Sequence, residues 1–251
     1  MAGSAKKKKI SIIVQARMSS TRLPGKVLME VCGKPALQHL IERLKFSKFA
    51  GQIILAIPDT QENDVLEKFA FNNSVGCYRG SENDVLGRIY LASKKNNCDI
   101  VVEVTGDNPL IDPEIVDVAV KKHIKTNADY SCTNYKSKFL PIGLDVGVIS
   151  FQALEMAYRD AKEVYNREHV TSYFYENPNI FKITGIEISK HLKGDDIRLT
   201  LDTKEDMELI TKIFEKLYKP GRIFGAKEML DLLKIEPELK KINSHIIQKT
   251  R

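Results

Sequence analysis

The sequence predicts an α/β fold with a mostly parallel sheet and helices on both faces, and three observations point there. Short apolar runs alternate with helical patterns through the first half. The second half mixes extended segments with one amphipathic helix. The 251 residues carry no internal repeat, low-complexity stretch or linker, which favours one sizeable core.

In chain order, "ISIIVQA" reads as a strand, and "KPALQHLIERLKFS" as a helix opening at Pro35 with Leu37, Leu40, Ile41 and Leu44 at helical spacing. "QIILAIP" is a second buried strand, followed by a helix over "NDVLEKFAFNN". "VGCYRG" is a third strand, and "SENDVLGRIYLASKKN" a helix capped by Ser81. "DIVVEVTGD" is a fourth strand, "DPEIVDVAVKKHIKT" a helix from Pro113, and "ADYSCTN" completes the series. Beyond it, "LPIGLDVGVIS" is extended and "NREHVTSYFYENP" helical. "FKITGIEIS" and "DIRLTLD" read as paired strands. "TKEDMELITKIFEKLYK" presents Met207, Ile210, Ile213, Phe214 and Leu217 on one face. The expected organisation is a basic tail over residues 1–9, a single domain over 10–236 and a polar tail over 237–251.

Lys and Arg number 39 against 33 Asp and Glu, and Lys6 to Lys9 supply four of the positives. Without that run the body is only weakly basic, so the sequence gives little support to a nucleic-acid partner. No apolar window is long enough to span a bilayer, and no apolar signal core follows the basic start; no membrane partner and a cytoplasmic location are expected. Cys32, Cys77, Cys98 and Cys132 form no CxxC pair and read as buried, reduced thiols.

In a parallel sheet ligands sit beyond the carboxyl ends of the strands, and two loops there have unusual compositions. In "SIIVQARMSSTRLPGKVL" the strand runs into a loop bearing Arg17, Arg22 and Lys26 and no acid. Ala16, Ser19, Ser20, Thr21 and Gly25 are small enough to let an anion approach the backbone. Several convergent positives suit a polyphosphate, which on this reading brings the counter-charge that the loop lacks. Val27 after Gly25-Lys26 departs from the GxxxxGK[ST] pattern and disfavours an NTP-hydrolysing P-loop.

In "EVTGDNPLIDP", Gly106 permits a tight turn that projects Asp107 into the crevice, where a carboxylate could hold Mg²⁺ against phosphate oxygens. Taken alone, Asp107 is better explained as a turn residue. Asp202, ahead of the helix at Thr203, is explained by capping when taken alone.

Together these motifs resemble the cytidylyltransferase superfamily of CMP-KDO synthetases and acylneuraminate cytidylyltransferases, and more closely its spore-coat polysaccharide branch, SpsF. The resemblance runs from about residue 10 to 218 and includes "QARMSSTRLPGKVL", "GKPALQHLIERLK", "YRGSENDVLGR", "VTGDNPLIDPEIVD", "GLDVGVIS", "NREHVTSY" and "RLTLDTKEDMELI". It implies a three-layer, Rossmann-like nucleotide-diphospho-sugar transferase fold with a small extended dimerisation element. It also implies a homodimer touching near residues 133–150 and 180–200.

The first loop, with Gln15, Ala16, Arg17, Ser19, Arg22 and Lys26, resembles the part that wraps the triphosphate of CTP. Arg79, Ser81 and Asp84 are expected on the nucleotide edge. Asp84 and Arg88, four residues apart, read equally well as a helix-surface ion pair. The metal-binding aspartates of the family match Asp107 and Asp202, and Arg17, Lys26 and Asp107 are the expected catalytic set. Asp145, Arg167 and Glu168 match acceptor positions; His169 does too, but reads as a structural residue. Ile142, Gly147 and Gly87 stand where related sequences often carry acids, departures that bear on the identity of the sugar.

The expected activity is transfer of CMP from CTP to a sugar acid or phosphorylated sugar, with pyrophosphate release, for a surface polysaccharide. The alternatives are another NTP on the same fold, or a nucleotide-binding homologue without catalysis.

Overall fold

The computed structural model describes residues 8–135 and 139–248, so most of the expected basic tail lies outside the described residues. The strand–helix alternation folds as β1 (Ile10–Gln15), a short hairpin of β2 (Glu30–Val31) and β3 (Lys34–Pro35), α1 (Ala36–Leu44), β4 (Ile53–Pro58), α2 (Asp64–Asn72), β5 (Gly76–Gly80), α3 (Val85–Lys95), β6 (Ile100–Thr105) and α4 (Pro113–Thr126). The second half adds β7 (Tyr130–Cys132), β8 (Gly147–Ser150), α5 (Phe151–Asp160), α6 (Val164–Glu168), α7 (Ser172–Glu176), β9 (Ile183–Gly185), α8 (Lys204–Leu217), α9 (Ala226–Ile235) and α10 (Pro237–Lys241).

Seven strands make one sheet in the order β5-β4-β1-β6-β8-β7-β9. β5, β4, β1 and β6 are parallel, whereas β8 runs antiparallel to both β6 and β7. Period-two alternation divides the central strands between two layers. Ile12, Val14, Leu55, Val102 and Val104 face a cluster completed by α1, α4, α8 and α9. Ile13, Ile54, Ala56 and Val101 face a second cluster built on α3, α5 and α7.

Several elements differ from expectation. "FKITGIEIS" and "DIRLTLD" do not pair: β9 lies parallel to β7, and residues 197–199 instead exchange backbone bonds with Ile142. "NREHVTSYFYENP" is broken at His169 into α6 and α7. The polar tail begins with a packed helix, α10, and Leu239 and Asn243 are buried. Cys98 and Cys132 are buried, but Cys77 is half-buried and Cys32 exposed in the β2–β3 turn.

Gly143 fixes the approach of residues 197–202 to the sheet end. Its φ is +98°, and a Cβ there would meet the backbone of Leu199 and Thr200 at 2.7 Å. Gly143→Ala is therefore expected to lower the unfolding free energy by about 1–3 kcal/mol, from overpacking and left-handed strain together. Urea denaturation checks this, and an unchanged midpoint would show that the segment relaxes freely.

Candidate active site

The chain leaves β1 outward to β4 and β5, then returns to β6 on the other side of β1. The order in which strands are added thus reverses between the parallel strands β1 and β6, the place where a parallel sheet opens a ligand crevice. A cavity of about 230 Å³ lies there, lined by Gln15, Ala16, Arg17, Arg22 and Lys26 from the first loop and by Thr105, Gly106, Asp107, Arg88 and Asp202.

Local chemistry holds both loops in place. The first loop is anchored by buried Asn63, whose Oδ1 accepts from the Met18 N–H at 2.9 Å. It closes on itself where the Met18 carbonyl accepts from the N–H groups of Ser20 and Gly25, each at 2.9 Å. The second loop touches it directly: the Gly106 N–H donates to the Gln15 carbonyl at 2.7 Å. A Cβ on Gly106 would lie 2.9 Å from the Ala16 Cβ. Gly106 thus serves this close approach rather than the left-handed turn a glycine there suggests.

Asp202 arrives because the Leu201 N–H donates to the Asp107 carbonyl at 2.8 Å. It does not cap α8. Thr203 does so, in a reciprocal capping box with Asp206, which leaves the Asp202 side chain to the crevice.

The electrostatics correct one sequence expectation. Arg22 and Lys26 do not await a substrate for their counter-charge. Lys26 Nζ lies 2.6 Å from Asp107 Oδ2 and 2.7 Å from Asp202 Oδ1, and Arg22 Nη2 lies 2.9 Å from Asp202 Oδ2. The acids come from positions 81 and 176 residues downstream of Lys26, so no local reading of the loop contains them. Arg17 is exposed, lines the crevice and, among the described residues, has no ion-pair partner.

Behind Asp202 lies a buried ionic network. Arg198 donates from Nη2 to Asp202 at 2.5 Å and grips Asp206 at 2.9 and 3.1 Å. Asp206 is fully buried and also accepts from Asn243 Nδ2 at 2.8 Å. Burial pushes the Asp202 carboxyl up, but Lys26, Arg22 and Arg198 outweigh it and hold the group below its ordinary value.

Other residues expected at the site lie elsewhere. Ser19 Oγ donates to Glu82 at 2.5 Å instead of lining the crevice. Arg79 pairs with Asp64 at 2.7 Å and Glu67 at 2.8 Å. Ser81 Oγ accepts from the Asp84 N–H, and Asp84, not Ser81, caps α3 through the Gly87 N–H at 2.8 Å. Asp84 pairs with Arg167 rather than Arg88, and Arg167 stacks on the Tyr158 ring at 4.7 Å. Glu168 is exposed. Asp145 accepts from Asn134 and lines a second cavity.

Arg88, Arg198 and Glu103 are the structural contributors missing from the expected site. Arg88 is 2% exposed, donates to the carbonyls of Ser81 and Glu82, and lines the crevice. Burial first, then Arg17, pulls its guanidinium down to about 10. Arg198 and Glu103 share one readable signal, a charge inside an otherwise apolar extended run ("DIRLTLD", "DIVVEVT").

Comparison with known proteins adds the family. A family model described as "Cytidylyltransferase" matches residues 11–235. The chain is 41% identical over 244 residues to an uncharacterized protein of Methanocaldococcus jannaschii, covering 96% of this chain and 97% of that one. It is 32% identical over 234 residues to the spore coat polysaccharide biosynthesis protein SpsF of Bacillus subtilis, covering 91% of this chain and 95% of that one. Among solved structures, a cytidylyltransferase from Leptospira borgpetersenii superposes with a TM-score of 0.88 at 30% identity, over 97% of this chain and 100% of that one.

The depressed Asp202 carboxyl makes a pH prediction. The unfolded chain, with an ordinary aspartate near 3.9, takes up this proton before the folded protein does, so acid favours unfolding. The contribution is present above about pH 4 and is lost as pH falls below it through the folded pKa. Urea titrations of the wild type and Asp202→Asn between pH 3 and 7 should show the wild type losing stability more steeply below pH 4; parallel curves would contradict the network.

Proposed function

The chain belongs to the cytidylyltransferase family, and from that premise we propose that it transfers CMP from CTP to a sugar acid or phosphorylated sugar, releasing pyrophosphate, for a surface polysaccharide. The observation that carries this reading is the convergence of Lys26, Arg22, Asp107 and Asp202 on one crevice at the β1–β6 switch point. The polysaccharide role of the Bacillus subtilis relative supports the acceptor class.

In this reaction the acceptor oxygen bonds to the α-phosphorus as the bond from that phosphorus to the bridging oxygen of pyrophosphate breaks. The proton of an acceptor hydroxyl leaves with the change, whereas a phosphate acceptor has none to lose. The protein's task is to position both reactants and to offset charge. Arg17, which has no acid to release first, meets the triphosphate on entry. Lys26 exchanges its two carboxylates for phosphate oxygens, and Arg88 adds a buried positive charge to the crevice wall.

Asp107 and Asp202 fit Mg²⁺. Both carboxylates already converge on one cation, the Lys26 ammonium, and two hard oxygen donors beside space for water and phosphate are the set this ion prefers. Among the described residues no group of three or more His, Cys, Asp or Glu side chains forms a metal cage. When bound, Mg²⁺ supplies positive charge at the phosphates. Arg198, held by Asp206, fixes the orientation of Asp202 throughout.

The working form is a homodimer of the cytoplasm, with residues 133–150 and 180–200 at the contact. Among the described residues no helix is long and apolar enough to cross a membrane.

Two experiments test the proposal. In thermal shifts with Mg²⁺, CTP should stabilise the protein more than ATP, GTP or UTP, and equal shifts would remove the nucleotide assignment. Asp107→Ala should lower acceptor-dependent pyrophosphate release by about 10²–10³-fold, the scale of losing a charge-stabilising group. Retention of wild-type rates would remove Asp107 from the mechanism.

A further inference from the structure

The residues expected to form a polar tail reach the Asp202 turn from behind. α10 buries Leu239 in the main apolar cluster, Ile242 packs against the same cluster, and Lys240 pairs with Asp196 at 2.7 Å. The chain then turns, with the Ile246 N–H donating to the Asn243 carbonyl at 3.0 Å, and brings two amide side chains to Arg198. Both lie beyond residue 235, where the cytidylyltransferase match ends.

Asn243 is 3% exposed and uses one nitrogen twice. Its Nδ2 donates to the Arg198 carbonyl at 3.0 Å and to Asp206 Oδ1 at 2.8 Å. The other oxygen of Asp206 accepts from the backbone N–H groups of Asp202 at 2.9 Å and Thr203 at 3.0 Å. One fully buried carboxylate therefore joins the tail to the turn that carries Asp202. Gln248 Oε1 accepts from Arg198 Nη1, so all three nitrogens of that guanidinium are engaged: Nε by Asp206, Nη2 by Asp202 and Asp206, and Nη1 by Gln248.

Solvent barely reaches this network, since Arg198 is 5% exposed. A buried carboxylate that loses a donor is costly to leave unmet, and the bonds of such a network support one another. Three cations surround Asp202. Arg22 and Lys26 line the crevice, whereas Arg198 lines a small separate cavity with Asn243 and Lys240. Arg198 is thus the contact that keeps the Asp202 carboxylate aimed at the crevice when phosphates draw Lys26 away.

We propose that the C-terminal segment is a brace for the active site, with Asn243 and Gln248 as positioning residues that act through Arg198 and Asp206 on the Asp202 carboxylate. Its consequence for the reaction rests on the reading of Asp202 as a metal-binding group.

Hydrogen exchange of the full chain, followed by NMR without nucleotide or metal, tests the brace itself. Asn243→Ala should speed exchange of the Asp202 and Thr203 amides by about tenfold or more and leave those of β1 unchanged. Mn²⁺ binding in the presence of CTP, followed by electron paramagnetic resonance, tests the consequence. Asn243→Ala should weaken Mn²⁺ by about tenfold or more, the scale of losing a group that supports a metal ligand. Leu154→Ala, a core truncation in α5 on the other face of the sheet, should spare both readouts, which separates positioning from general loss of stability. Should Asn243→Ala not fold, Gln248→Ala should give smaller changes of the same kind. Unchanged exchange at Asp202 and Thr203, faster exchange there with wild-type Mn²⁺ affinity, or an equal loss of affinity in Leu154→Ala would each overturn the proposal. Faster exchange in Asn243→Ala alongside a wild type that binds no Mn²⁺ with CTP would uphold the brace and remove the metal reading of the crevice.

Discussion

One ammonium group, Lys26 Nζ, sits between two carboxylates that the chain brings together from separate elements. Two aspartates converging this closely in a partly enclosed crevice repel unless a cation lies between them. The rest of the site follows from meeting that requirement. Gly106 allows the two strand-end loops to touch, the Leu201 N–H ties Asp202 to the carbonyl of Asp107, and Thr203 takes over the helix cap so that the Asp202 side chain is available. Arg198 and Asp206 then hold the second aspartate from behind with charge-assisted bonds. Lys26 and Arg22 together offset the two carboxylates, and the proposed divalent cation would take its remaining ligands from a triphosphate.

How far the sequence reveals this depends on distance along the chain. The parallel strands were legible because burial on both faces leaves continuous apolar runs such as Ile12-Ile13-Val14. The first loop was legible because basic and small residues crowd one strand end. Its neutralisation was not, since the partners lie 81 and 176 residues away. Cap assignments failed by a few residues, at Ser81 against Asp84 and at Asp202 against Thr203, because the backbone turn decides which short polar side chain reaches the free N–H groups. Arg79 and Arg167 have the right residue types for a phosphate site, but their charges are taken up by Asp64, Glu67 and Asp84.

The second half was harder to read because its segments are short and bond irregularly. Residues 197–201 look like a strand by alternation, yet their backbone groups pair with Ile142 and Asp107 and leave no ladder for β9. Glu103 shows the converse case. The strand pattern around it was clear, but only the fold shows that β8 places Gly147 opposite, with the Tyr130 ring of β7 beside that glycine. The outcome is two adjoining cavities that share Thr105.

On the proposed function, Lys26 holds the place of a divalent cation between Asp107 and Asp202 and gives it up when the nucleotide arrives. Mn²⁺ binding to the wild type and to Lys26→Met, measured by electron paramagnetic resonance with and without CTP, tests this most directly. The account predicts that without CTP the variant binds Mn²⁺ at least tenfold more tightly than the wild type, while its affinity for CTP falls. Equal Mn²⁺ affinity in the two proteins would contradict it.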